Sequence, residues 1–302
     1  MKNPTEEQGM RNCGIRDSVA RVRHLVWLEN QLNQNIFVNE TEAAERLEQF
    51  QSEETFYQSL SFDSISAFGA NAAIIHYSPK AKTAATITKT GLYLLDAGAQ
   101  YLDGTTDVTR THVFGNVTND QKKAYTLVLQ GSIDLANAVF PYGTYGRNID
   151  ILARAPLFKN YMNYNHGTGH GIGHYLSVHE GPSFISMGYS SSDIPLADGM
   201  VFSDEPGFYL PQQFGIRLET GIIVKNYTLP VNYVNSSVQF LHFDLLTYVP
   251  FERDLIVCEM LTIEQKEWLN WYHQQTQDKI KNLLRTEEER DYLQRKTEPI
   301  QC

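Results

Sequence analysis

The sequence predicts a single α+β domain, and three observations carry that reading. Apolar residues recur at helical spacing toward both ends of the chain. Short β-rich runs bounded by Gly, Asp and Pro fill the middle. No internal repeat, low-complexity segment or linker divides the 302 residues. With 42% hydrophobic residues, a chain of this length can bury a substantial core.

The elements follow in order. Ile15, Val19, Val22 and Val26 fall at spacings of four, three and four, which places them in one stripe along a helix. Asn39 with Glu42 three positions on forms a capping box ahead of a second helix, whose period continues through Ala43, Leu47 and Phe50. Strands are expected over 72–77, 92–97 and 108–114. Thr118 with Gln121 repeats the capping pattern and opens a long helix through Ala124, Leu127, Val128 and Ile133. Strands resume after Asn163, with a glycine-rich stretch over 167–173 and further strand candidates at 200–209 and 215–224. Thr262 with Gln265 caps a terminal helix through Trp268, Leu269 and Tyr272 toward Leu284.

A formal net charge of -10 excludes sequence-independent nucleic-acid binding, because no surplus of Lys and Arg is present to neutralise phosphates. No apolar run reaches the roughly 18 residues needed to span a bilayer, so no membrane span is expected. The N-terminus MKNPTEEQGM is polar and lacks the form of a signal peptide, and a cytoplasmic location is the expectation. Cys13, Cys258 and Cys302 are too scattered for a disulfide framework and are read as reduced thiols. Asn39, Asn116, Asn226 and Asn235 head N-x-[ST] sequons, which favour a secreted or membrane-anchored relative only mildly.

Five potential metal ligands sit at strand ends or in adjoining turns: Asp96 in YLLDAG, Asp107 in DGTTDVTRT, His170 in HGTGHGIGH, Glu205 in SDEPG and Glu219 in GIRLETG. Asp96 and Asp107 lie eleven positions apart (107 minus 96), which suits adjacent strands that return the second carboxylate to the first. Each alone has a bland reading, Asp96 as a turn residue and Glu205 as a strand terminator. Together they are acids embedded in apolar strand sequence, costly to bury unless paired or coordinated. Mainly oxygen ligation suits two divalent ions, with manganese expected and zinc or cobalt as alternatives.

The stretches AAIIHYSP, LLDAGAQYLDGTTDVTRTHVFG, HGTGHGIGHYLSVHEGP, MVFSDEPGFY and FGIRLETG resemble, in order and approximate spacing, those of the pita-bread metallopeptidases, and among them the eukaryotic X-prolyl aminopeptidases. The resemblance runs from about Asn3 to Pro299. It implies the pita-bread fold, with curved antiparallel sheets covered by helices. It also implies Asp96, Asp107, His170, Glu205 and Glu219 as metal ligands, with Asp107 and Glu219 bridging. Glu205, His166 and His179 take the catalytic roles, His76, His166 and His179 bind substrate, and Arg217 supports the site. The implied substrates are peptides with proline second, and the implied assembly is a homodimer.

Relatives of this type carry one or two domains ahead of the catalytic one. The chain is therefore expected to be the catalytic domain alone, 1–302, with the ligand-bearing core over about 10–225 and a C-terminal extension over 226–302. His174 stands where close relatives have a small residue and is read as variation at the rim. A prolidase-like dipeptidase or a methionine aminopeptidase would use the same ligand types. A non-catalytic peptide-binding module, or a truncated inactive form, is the reading from another class, although such modules lose ligands and all five are present here.

Overall fold

The computed structural model describes residues 1–228 and 238–302, so the sequon at Asn235 lies outside the described residues. Among these, the helices are α1 (Pro4–Asn33), α2 (Glu40–Ser52), α3 (Asn119–Ala136), α4 (Gly146–Phe158), α5 (Ile263–Ile280) and α6 (Glu287–Lys296). The capping boxes read at Asn39, Thr118 and Thr262 are all formed. α1 begins earlier than its apolar stripe suggested: the Asn3 side chain accepts from the backbone of Thr5 and Glu6, and Pro4 occupies the first turn, where its missing N–H costs nothing. Neither α4 nor α6 was anticipated. Ile149, Ala153 and Leu157 give α4 a buried stripe, but Pro156 in its last turn obscures the pattern.

Two antiparallel sheets carry the architecture. One orders Ile65–Phe68, Leu92–Ala97 and Val108–Val113, with Asp96 opposite Thr109. The other orders Val201–Asp204, Thr220–Tyr227, Phe240–Leu245 and Val139–Pro141. α3, α4 and α5 contribute Leu127, Leu157 and Tyr272 to the largest core cluster, against Phe202, Ile222 and Leu241 of the second sheet. α1 contributes Val19, Val22 and Val26 to another, with Val108, Ile280 and Leu293. The expected single α+β domain of antiparallel sheets and helices is what the chain forms.

Four sequence expectations need correction. Residues 72–77 are not a strand: Ile74 N–H donates to Asn71 and Tyr77 N–H to Ile74, so local turns replace a ladder, and the strands Tyr57–Leu60 and Ile65–Phe68 come earlier. The run at 200–209 divides into Val201–Asp204 and Gly207–Leu210 around Glu205 and Pro206, and the next divides into Phe214–Arg217 and Thr220–Tyr227 around Leu218 and Glu219. Pro206 has no N–H to extend a ladder. The thiols are not all reduced: Cys258 and Cys302 form a disulfide, and Cys13 is buried and free. Folding brings this pair together because the C-terminal tail returns along α5, where Ile300 N–H donates to Asn270 Oδ1 at 2.8 Å. No helix among the described residues is long and apolar enough to cross a membrane.

The chain after residue 238 is fastened to the first sheet by buried polar contacts. Arg110 on Val108–Val113 donates to the Val249 carbonyl at 3.1 Å and to the Tyr272 hydroxyl at 2.7 Å, and lies over the Phe251 ring. Lys296 at the end of α6 meets Glu252 at 2.6 Å, and the opposite carboxylate oxygen faces His112 at 3.7 Å. Burial alone would raise the Glu252 carboxyl, but Lys296 and His112 hold it down at about 2.

Burial lowers His24 to about 3 and His273 likewise to about 3. Each native imidazole therefore binds its proton at lower pH than in the unfolded chain, where it titrates near pH ~6.5. Stability is intact above that value and is lost as pH falls from it toward about 3. At pH ~5.5 each imidazole should cost ~1.4 kcal/mol. Thermal melts of metal-saturated protein should fall by roughly 5 °C between pH ~7.5 and ~5.5, less in a His24→Gln variant.

Candidate metal centre

The strand breaks place the acids. Asp96 lies on Leu92–Ala97 and Asp107 immediately before Val108–Val113, so antiparallel pairing brings them to one end of the first sheet. Glu219 joins them because its N–H donates to the Thr109 carbonyl at 2.9 Å and Thr109 Oγ1 donates to Glu219 Oε2 at 2.8 Å. His170 and Glu205 arrive from the second half of the site: Glu205 N–H donates to the Thr168 carbonyl at 2.7 Å, and His170 N–H to Ser203 Oγ at 3.0 Å. Gly169 permits this approach, since a Cβ there would collide with the Ser203 carbonyl.

All five predicted ligands converge. Asp96, Asp107 and Glu219 form one group whose potential ligand atoms lie within 4.8 Å of one another; His170, Glu205 and Glu219 form a second, and Asp107, His170 and His179 a third. Asp107, Glu219 and His170 each belong to two groups, and of these the two carboxylates are the buried ones. The cluster lines a cleft of about 560 Å³, whose other walls include Phe62, Ile65, Ile75 and Phe184.

Two details test whether cations fit this donor set. His170 Nδ1 lies 3.0 Å from the Gly171 carbonyl and must carry the proton there. Its Nε2 is then the atom that faces Asp107 at 3.3 Å and Glu205 at 3.5 Å, and in the neutral ring it presents a lone pair. A lone pair aimed at carboxylate oxygens is unfavourable without a proton or a cation between them. Asp96 Oδ2 accepts from Arg217 at 2.6 Å, while its buried Oδ1 has no hydrogen-bond partner. A buried acceptor left open costs stability unless something binds it. The donor set fits divalent cations.

The electrostatics agree. Burial first, then Asp96 and Glu205, push the Asp107 carboxyl well above its ordinary range; burial first, then Asp107 and Asp96, do the same to Glu219. Burial and Glu219 push Glu205 up to about 8. Arg217 is the cation of the cluster, and its guanidinium is shared among Asp96, the Tyr209 hydroxyl at 2.8 Å and Thr109 Oγ1 at 3.3 Å.

The remaining candidates are placed less uniformly. His166 Nδ1 donates to the Gly167 carbonyl at 2.7 Å, and its Nε2 accepts from Tyr209 at 2.9 Å, so both ring nitrogens are taken up. Burial lowers His166 to about 4. His179 stands edge-on to His170 with ring centroids 4.2 Å apart, and burial and His170 lower its pKa. His76 is exposed and lines the same cleft. His174 is half-buried, and its carbonyl accepts from Thr105 at 3.2 Å.

The sequence reading missed Tyr209 and the pair Asp150 and Arg154. Arg154 meets Asp150 at 2.7 Å and donates to the carbonyls of Tyr164 and His166, clamping the loop that carries His166. The spacing of four between them was visible, but only once α4 is known does it place both on one face. Tyr209 carried no separate signal inside its predicted strand.

Residues 8–226 match metallopeptidase family M24, and residues 239–300 match the C-terminal region of peptidase M24. The chain belongs to metallopeptidase family M24. Among M24 relatives, the chain is 44% identical over 301 residues to a probable Xaa-Pro aminopeptidase P of Laccaria bicolor, covering 99% of this chain and 47% of that protein. It is 42% identical to aminopeptidase P1 of Lotus japonicus, covering 99% and 48%. The crystal structure of an X-prolyl aminopeptidase from Caenorhabditis elegans, described as a cytosolic enzyme with a di-nuclear active site, superposes with a TM-score of 0.94. It has 39% sequence identity to this chain and covers 99% of it and 48% of its own. The chain thus spans about half the length of the relatives it matches.

The raised carboxyls make a thermodynamic prediction for an M24 site of this kind. Glu205 in metal-free protein holds its proton up to about pH 8, whereas a coordinating carboxylate must lose it. Titrating Mn2+ into metal-free protein at pH ~6.5 should release at least about one proton per chain. Calorimetry in buffers of different ionisation enthalpy measures this, and binding should raise the melting temperature by several degrees.

Proposed function

We propose that this chain is the catalytic domain of an X-prolyl aminopeptidase, with Asp96, Asp107, His170, Glu205 and Glu219 as ligands of two divalent ions, manganese first. The observation that carries the reading is the convergence of four carboxylates and one imidazole whose lone pair faces them, in a cleft with an apolar wall. The domain division proposed is 1–302 as one catalytic unit, with the ligand-bearing core over about 10–225 and the rest as its C-terminal extension.

Two such ions supply, when bound, a water of lowered pKa and Lewis-acid polarisation of the scissile carbonyl. Glu205 is the proton shuttle: its side chain is 19% exposed, lines the cleft and, once a cation has displaced its own proton, is a carboxylate able to accept one. It takes the proton from the nucleophilic water and delivers it to the departing prolyl nitrogen. His179 has the accessible ring and orients the substrate carbonyl, with His76 binding substrate at the rim of the cleft. His166 serves through Tyr209: with both nitrogens occupied, it fixes the tyrosine hydroxyl that Arg217 also grips. The prolyl nitrogen has no N–H to satisfy, and the apolar wall of Phe62, Ile65, Ile75 and Phe184 suits its ring.

Assembly as a homodimer belongs to the same proposal. It rests on the resemblance to the X-prolyl aminopeptidases, and sedimentation equilibrium counts the chains. For the compartment, two observations oppose each other. The C. elegans enzyme is described as cytosolic, which favours the cytoplasm, while the Cys258–Cys302 bridge favours an oxidising environment. Non-reducing peptide mapping of the natural protein decides between them.

The decisive assay is hydrolysis of an Arg-Pro-Pro peptide by Mn-loaded protein. The parent should release Arg, the same peptide with Ala second should be cut poorly, and Glu205→Gln should lower kcat by at least about 100-fold. Two bound metals per chain without release would overturn the peptidase reading for this chain acting alone.

A further inference from the structure

A buried carboxylate outside the ligand set organises one wall of the cleft. Glu40, the first residue of α2, is fully buried. Its Oε1 accepts from Phe68 N–H at 2.6 Å and Asn71 Nδ2 at 3.0 Å. Its Oε2 accepts from Tyr77 O–H at 2.8 Å, Ala85 N–H at 2.8 Å and Asn71 Nδ2 at 3.1 Å. These partners are all neutral, and they fall at the start, the middle and the end of one segment, 68–85. That segment contains Ile75 and His76, which line the cleft.

Taking a carboxylate out of water without a cation is expensive unless its lone pairs are filled. Beyond Phe68, which ends a strand of the first sheet, they are filled by a stretch with no strand ladder of its own, so the cost is met only if that stretch keeps one conformation. The base of the segment is closed independently, because Glu40 N–H donates to the Ala85 carbonyl at 3.1 Å and Val38–Asn39 pairs with Thr86–Ile87. Its other side rests on Gly215, where a Cβ would collide with the Ala72 carbonyl, two residues from Arg217. The Tyr77 hydroxyl, raised to about 12 by burial and by Glu40, stays protonated and keeps donating.

We propose that Glu40 is a positioning residue: its carboxylate cinches segment 68–85 so that His76 is held at the rim of the cleft, ready for substrate. This rests on the aminopeptidase reading, because it assumes that His76 binds the peptide. A carboxylate that merely stabilised the domain would act equally whether or not His76 were present.

The test is a double-mutant cycle of Glu40→Gln and His76→Ala, read by peptide hydrolysis and by hydrogen exchange on the metal-loaded chain. Gln keeps the size but removes one acceptor oxygen and the charge. Each single variant should raise KM by about tenfold with kcat changed much less. The double variant should match His76→Ala alone, since there is then no imidazole left to position. Equal losses from Glu40→Gln in both backgrounds would overturn the proposal. Hydrogen exchange supplies the readout that does not need activity: Glu40→Gln should speed exchange across 69–85 while 92–113 and the metal content stay unchanged. If the parent cuts no peptide, the aminopeptidase reading fails. Unchanged exchange over 69–85 would still sink the positioning role on its own. Tyr77→Phe, which removes a single donor, gives the same comparison in milder form should Glu40→Gln fail to fold.

Discussion

Like charges must be held within a few ångströms of one another, and the rest of this structure answers to that requirement. Asp96, Asp107, Glu205 and Glu219 come from four separate points in the sequence, and in the metal-free protein burial and mutual repulsion raise three of their carboxyls. Nothing in such a cluster favours its own assembly, so the backbone imposes it. Antiparallel pairing sets Asp96 beside the start of Val108–Val113, and Thr109 receives Glu219 through both main chain and side chain. Arg217 offsets part of the charge from within, while Tyr209 and Thr109 fix its guanidinium so that one face remains on Asp96.

The same strand is gripped from behind. Arg110 alternates with the residues that face the site and points its guanidinium to Val249, Phe251 and Tyr272. The C-terminal region therefore braces the ligand strand rather than decorating it. This geometry explains why helices as distant in sequence as α1 and α5 share a core cluster with Val108: the strand needs support on both flanks to keep its acids in place.

Asp96 was legible because a carboxylate inside an apolar strand contradicts its surroundings, whereas Asp107, Glu205 and Glu219, at strand ends and breaks, stood out only in combination and through the resemblance. Capping boxes were legible too, since the reciprocal bonds of Asn39, Thr118 and Thr262 depend only on neighbours three positions away. What stayed hidden depends on distant partners. The strand runs around Glu205 and Glu219 break because those residues leave the ladders for the carboxylate cluster, a reason local propensity does not contain. The 72–77 run has strand composition, yet its turns close on themselves while Glu40, more than thirty residues earlier, collects Asn71 and Tyr77. The Cys258–Cys302 pairing required knowing that the tail doubles back along α5.

The Lys296 contact has a consequence for the order in which the molecule forms. Glu252 is buried against His112 on the ligand strand, and its charge is tolerated because Lys296 meets it. During synthesis His112 emerges long before Lys296, so a nascent chain that closed its metal-site sheet around Glu252 would enclose an uncompensated charge. Glu252 can therefore be buried against His112 as a charged group only once α6 has docked. The charge carried between the first sheet and the C-terminal region is complete only when both are in place, so one contact makes two distant stretches of chain depend on each other.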